Sequence, residues 1–126
     1  MFDPLTANSL MLAYLGDAVY EVLVREHLFN TVPEGNTEAN RLALDYVTAA
    51  SQVKALEKIL PHLTEEEKAV YTRGKNTKTH NVPKSATRYE YRKATGLEAV
   101  FGYNHLLGRG ERNKELFGIA FCQDKC

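Results

Sequence analysis

Cysteine is almost missing from this chain, with two in 126 residues, Cys122 and Cys126, both at its far end. So few and so terminal, they build neither a disulfide framework nor a four-ligand zinc site, and reduced thiols are the expectation. Tryptophan is absent, and so is any net charge, since 16 basic residues face 16 acidic ones. Zero charge by itself argues neither for nor against a nucleic-acid partner. No apolar run reaches the ~18 residues that span a bilayer, and the opening Met1-Phe2-Asp3-Pro4 lacks the basic start of a signal peptide. A cytoplasmic protein with no membrane association is expected. His27, His62, His80 and His105 are scattered and form no His-Glu-x-x-His arrangement, and no Gly-x-Ser-x-Gly elbow, phosphate loop or dinucleotide fingerprint occurs. Those classes of chemistry drop out, and His105 and Cys122 read as packing residues.

What is present is helical. Apolar residues are 44% of the chain and charged residues 25%, the proportions of a globular domain, and the length fits a single domain over residues 1–126. No strand-like alternation, fixed-period repeat or low-complexity segment appears. Thr6 or Asn8 can cap a long first helix over about 10–29, with Glu21 and Arg25 spaced as a surface pair. A second helix over 37–46 follows a Pro33/Gly35 loop. Thr48 caps a third with Val53, Leu56, Ile59 and Leu60, unless 47–48 is only a bend in one longer helix. Thr64 caps a fourth, whose first turn carries Glu65, Glu66 and Glu67 where the helix dipole favours acids, and which ends near residue 74. Residues 75–85 read as a polar, basic loop. A fifth helix spans about 86–107, stopped by Gly108 and Gly110, and a sixth covers 111–122.

Two constellations could carry chemistry. Residues 8–20 are almost continuously apolar, with Asp17 as their one formal charge, so the segment reads as a central helix covered on every side. Residues 94–107 repeat that signature with Glu98 as their one acid. Glycines lie beside both, Gly16 near Asp17 and Gly96 and Gly102 near Glu98, as expected where two helix backbones approach closely. If the helices cross there, the two carboxylates meet; they then share a proton, pair with basic residues, or bind a hard cation such as Mg²⁺. Pattern alone leaves these options open. The second constellation is local charge. Between residues 73 and 93 lie Arg73, Lys75, Lys78, Lys84, Arg88, Arg92 and Lys93 against the single acid Glu90. Such a stretch is either a solvated face or a surface that contacts phosphates without reading bases.

The motifs themselves resemble a known family. Leu-Ala-Tyr-Leu-Gly-Asp-Ala-Val at 12–19 and Thr-Gly-Leu-Glu-Ala-Val-Phe-Gly at 95–102 resemble the two acidic signatures of the ribonuclease III catalytic domain. Val-Thr-Ala-Ala-Ser-Gln at 47–52 and Arg-Gly-Lys-Asn-Thr-Lys at 73–78 are similar to the Mini-ribonuclease III subfamily in particular. The resemblance implies an all-α, homodimeric helical bundle that hydrolyses double-stranded RNA with Mg²⁺, Mn²⁺ being a substitute, to give 5′-phosphate and 3′-hydroxyl ends. It implies Asp17 and Glu98 as catalytic metal ligands. Ala13 and Thr95 stand where longer relatives carry acids, a departure the Mini subfamily shares. Tyr14 falls on a dimer contact, and Arg73, Lys75, Asn76, Lys78, Lys84 and Arg92 are the candidate RNA-binding residues. The chain stops soon after its last helix, so this one domain is expected to grip the duplex, with a precursor of large-subunit (23S) ribosomal RNA as the implied substrate. The alternative is a non-catalytic RNA- or ribosome-binding dimer on the same scaffold.

Overall fold

Short polar residues open the helices. In the computed structural model, which describes residues 6–32, 35–77 and 86–121, the order is α1 (Ser9–Thr31), α2 (Asn36–Val47), α3 (Ala49–Ile59), a 3₁₀ turn at Leu60–His62, α4 (Glu65–Asn76), α5 (Arg88–Leu106) and α6 (Gly110–Phe121). No strand occurs among the described residues, so the fold is all-α. Asn8 accepts from the N–H groups of Leu10 and Met11, and Thr48 accepts from Ser51. Thr48 is extended, so α2 and α3 are two helices rather than one bent one. Thr64 and Thr87 each form a capping box, with Glu67 and Glu90 as the reciprocal partners. Two expected boundaries move. Lys75 and Asn76 belong to α4 instead of a loop, and Gly110 begins α6, leaving Gly108, at φ 75°, to end α5. No described helix is long and apolar enough to cross a membrane.

The centre of the bundle is α5, not α1. From Ala94 to Asn104 every α5 residue except Glu98 is buried, and α1, α3, α4 and α6 all pack on it. Helix α1 buries one face only, through Leu12, Ala13, Gly16, Tyr20, Val24 and Leu28. Its opposite side exposes Met11, Tyr14, Val22 and Phe29, so the expectation of a helix covered all round is corrected. The residues are apolar on both sides, but one chain supplies a partner for only one of them. Tyr20 anchors the buried face: its hydroxyl donates to the Tyr46 carbonyl at 2.7 Å, and its ring meets Phe101 and Phe117 edge-on at 5.4 and 6.0 Å.

A buried ion pair closes the other end of the bundle. Glu67 is 1% exposed, and Arg112 of α6 reaches it twice, Nε to Oε2 at 3.0 Å and Nη2 to Oε1 at 2.8 Å. Asn104 of α5 adds a bond at 2.9 Å, and the Thr64 N–H donates at 2.9 Å. Burial alone would raise this carboxyl, but the bonds from Arg112, Thr64 and Asn104 outweigh it and hold the group down to about 2. Unfolded chains bind this proton near pH 4.3, so between roughly pH 4.5 and 2 the unfolded state holds more protons and stability falls as pH falls, by up to about 3 kcal/mol. Chemical denaturation at pH 5 and pH 3 should show that loss. In Arg112→Met this part of the slope should vanish, and an unchanged slope would assign acid sensitivity elsewhere.

Candidate active site

The site follows from one helix crossing. Where α1 passes α5 in the opposite sense, a Cβ on Gly16 would collide with the backbone carbonyl of Glu98 and lie 2.9 Å from the Gly102 nitrogen. A Cβ on Gly102 would likewise strike the Leu12 carbonyl. Both positions must be glycine for the backbones to touch, as expected from the pattern. Gly96 has a different neighbour from the one expected, since it faces the Tyr71 ring of α4 rather than α1. The consequence of the Gly16 contact is that the next residue, Asp17, brings its carboxylate to the Glu98 side chain.

These two carboxylates differ in setting. Asp17 is exposed, while Glu98 is mostly buried between α1, α3 and α5. Burial raises the Glu98 pKa first, the negative charge of Asp17 raises it further, and the pair titrates with Glu98 pushed up to about 8 despite a bond from Gln52 that lowers it. Neither acid forms an ion pair with a lysine or arginine among the described residues. At neutral pH the pair therefore retains a proton. Of the three options the sequence left open, basic partners are thus the one this geometry does not use. The remaining donor set is hard oxygen, which suits a small divalent cation that keeps most of its water. No cluster of three or more histidine, cysteine or acidic side chains exists among the described residues, so any ion here rests on two carboxylates. Ala13 is buried, and the Thr95 hydroxyl donates to the Tyr91 carbonyl at 2.8 Å, so neither adds a carboxylate.

One residue at the site escaped the sequence reading. Gln52 of α3 is 3% exposed and donates from Nε2 to Glu98 Oε2 and to the Val47 carbonyl, each at 3.3 Å. A signal existed: residues 52, 55, 56 and 59 form the buried stripe of α3, and Gln52 is its only polar member. Beside it lies a pocket of about 220 Å³ lined by Thr48, Ala49, Gln52, Tyr91, Thr95 and Glu98 among others.

The basic candidates group along the α4–α5 junction. Arg73 is exposed and bonds the Ala7 carbonyl at 3.0 Å, and Lys75 lies 5.7 Å from the Tyr71 ring centre. Arg92 donates to the Lys75 carbonyl at 2.9 Å and to Asn76 Oδ1 at 3.0 Å, so it also clasps the end of α4. Lys78 and Lys84 lie outside the described residues. Arg92 precedes Glu98 by six residues, about 9 Å along the helix axis. Tyr14, expected as a dimer contact, is 76% exposed in the single chain, whereas His105 is exposed rather than packed.

Comparison with known proteins places this geometry. Residues 10–109 match the Ribonuclease III domain family. The chain is 46% identical to Mini-ribonuclease 3 of Symbiobacterium thermophilum over 94% of its own length and 91% of that protein. It is 53% identical to Mini-ribonuclease 3 of Desulfitobacterium hafniense over 83% of its length and 66% of the relative. A crystal structure of a protein from Fusobacterium nucleatum superimposes with a TM-score of 0.83 at 34% identity, covering 94% of this chain and 95% of that one.

Proposed function

This chain belongs to the ribonuclease III family and is an endoribonuclease, and from that premise we propose that Asp17 and Glu98 are its catalytic metal ligands, working with Mg²⁺ on duplex RNA. The observation that carries the reading is the meeting of two carboxylates, one of them half-buried, without a basic partner among the described residues. Bound there, Mg²⁺ or Mn²⁺ supplies a Lewis acid and eases deprotonation of water near neutral pH. The chain's own residues do the rest. Asp17 and Glu98 would hold the ion, Glu98 giving up its proton to do so, and the Gly16–Gly102 contact sets their spacing. In the hydrolysis, water adds to phosphorus, the bond to the 3′ oxygen breaks, and that oxygen takes a proton, leaving a 5′-phosphate and a 3′-hydroxyl.

The reading includes a homodimer. Met11, Tyr14, Val22 and Phe29 form an exposed apolar stripe on α1 whose burial against a second copy would be favourable. Tyr14, one turn before Asp17, is the proposed contact closest to the carboxylates, so a dimer along this stripe joins two sites, one for each strand. The substrate proposed from the subfamily resemblance is a duplex in the precursor of large-subunit (23S) ribosomal RNA, processed in the cytoplasm.

Duplex grip is assigned to Arg73, Lys75, Asn76, Lys78, Lys84 and Arg92, which would contact phosphates and 2′-hydroxyls along an A-form groove. Replacing Lys75 and Lys78 together with alanine should weaken duplex binding by similar factors across RNA sequences, and the slope of log affinity against log salt should flatten by about one for each phosphate that is no longer neutralised. Filter binding at several salt concentrations reads this directly. An unchanged slope would return both lysines to solvent. Binding without cleavage in the parent protein under Mg²⁺ or Mn²⁺ would instead favour a scaffold that has lost its chemistry.

A further inference from the structure

The Gln52 carboxamide is used at one end only. Its Nε2 donates to the Glu98 carboxylate and to the Val47 carbonyl, whereas its Oε1 is buried with no hydrogen-bond partner among the described residues. Rotating the amide would not relieve this, because the Val47 carbonyl can only accept, which fixes the NH₂ at that end. A buried acceptor left unpaired is costly, and α3 tolerates it at a position where leucine would fit the stripe. The same side chain lines the pocket that reaches Glu98.

We propose that Gln52 is a positioning residue of the cation site: its Nε2 orients the Glu98 carboxylate, and its Oε1 accepts a hydrogen bond from water in the hydration shell of the divalent ion. The inference rests on the assignment of Asp17 and Glu98 as ligands. Two carboxylates leave most of a Mg²⁺ ion's positions to water, and water is held in place only by acceptors around it. Val47, Ala49, Ala86 and Ala94 bring no polar side chain to this pocket, the hydroxyls of Thr48 and Thr95 donate to Ser51 Oγ and to the Tyr91 carbonyl, and it is Gln52 that bonds Glu98. Gln52 lines the pocket, carries the unpaired acceptor Oε1, and reaches Glu98 from a third helix.

Gln52→Met keeps the length and volume of the side chain without the amide, and Gln52→Glu keeps an oxygen acceptor on the same stem. Calorimetric titration with Mn²⁺ alone, thermal melts without metal, and kcat and KM on duplex RNA separate the possibilities. Gln52→Met should melt within a few degrees of the parent, bind Mn²⁺ at least about tenfold more weakly, and lose kcat with KM for RNA unchanged. Gln52→Glu should bind Mn²⁺ at least as tightly as the parent. Parent-like Mn²⁺ affinity in Gln52→Met, or an equal loss in both variants, would overturn the proposal while leaving the two ligands standing. Should Gln52→Met fail to fold, the Mn²⁺ affinity of Gln52→Glu decides: retained affinity supports the role, and a tenfold loss overturns it. A parent protein that binds no Mn²⁺ would overturn the ligand assignment itself and this proposal with it.

Discussion

Asp17→Asn is expected to stop Mg²⁺-dependent cleavage of long duplex RNA, lowering the rate by roughly 10³-fold or more, about 4 kcal/mol of transition-state stabilisation. The fold should survive, because Asp17 is exposed and the amide is isosteric. Stability in metal-free buffer should even rise, since the substitution removes the negative charge that Glu98 faces. That opposite movement of activity and stability separates a ligand from a structural residue. A salt-bridge partner would lose both together. Glu98→Gln should fall in activity in the same way, and cleavage by either variant at the parent's rate would remove the pair from the chemistry.

The second large effect belongs to a residue with no functional groups. Gly16→Ala puts a methyl group into the backbone carbonyl of Glu98, and neither helix can yield by a side-chain rotation because the colliding atoms are main chain. Helices α1 and α5 must part, and the core residues Tyr20, Phe101 and Leu12 lose their fit along the crossing. Overpacking a core typically costs 1–3 kcal/mol, and a main-chain collision should exceed that, at about 4 kcal/mol or more. Thermal melting should drop by roughly 15 °C or more, or the protein should fail to fold. In any folded fraction, cleavage should be lost as well, because the displaced carbonyl belongs to Glu98. A variant that melts like the parent would mean that the crossing is looser than the glycines require.

How far these features could be read in advance depends on whether their cause is local. The caps Asn8, Thr48 and Thr64 act within one turn, and their positions are plain in the chain. Gly16 is legible too, because glycine inside an apolar helix needs a reason and close approach is the commonest one. The exposure of Met11, Val22 and Phe29 was not legible, since an apolar residue on an open helix face and one in the core have the same chemistry. Nor was the bond between Glu67 and Arg112, which joins residues 45 positions apart. Glu67 was legible as a dipole residue, but only the approach of Arg112 from α6 reveals it as a buried anion. Gln52 falls between these cases. Its place on an apolar stripe was visible, whereas the carboxylate it serves lies on a different helix.

The arrangement of the site follows a division of labour between helices. Helix α1 brings an exposed carboxylate, α5 a half-buried one, and α3 an amide that ties the second in place. The burial that makes Glu98 a reluctant anion also makes a cation the natural way to discharge it. The most direct test of a two-carboxylate cation site is calorimetric titration of the metal-free protein with Mn²⁺, run in parallel on Asp17→Asn and Glu98→Gln. Such a site predicts saturable binding to the parent, released protons at neutral pH, and binding at least tenfold weaker in both variants. Equal Mn²⁺ affinity in all three proteins would contradict it.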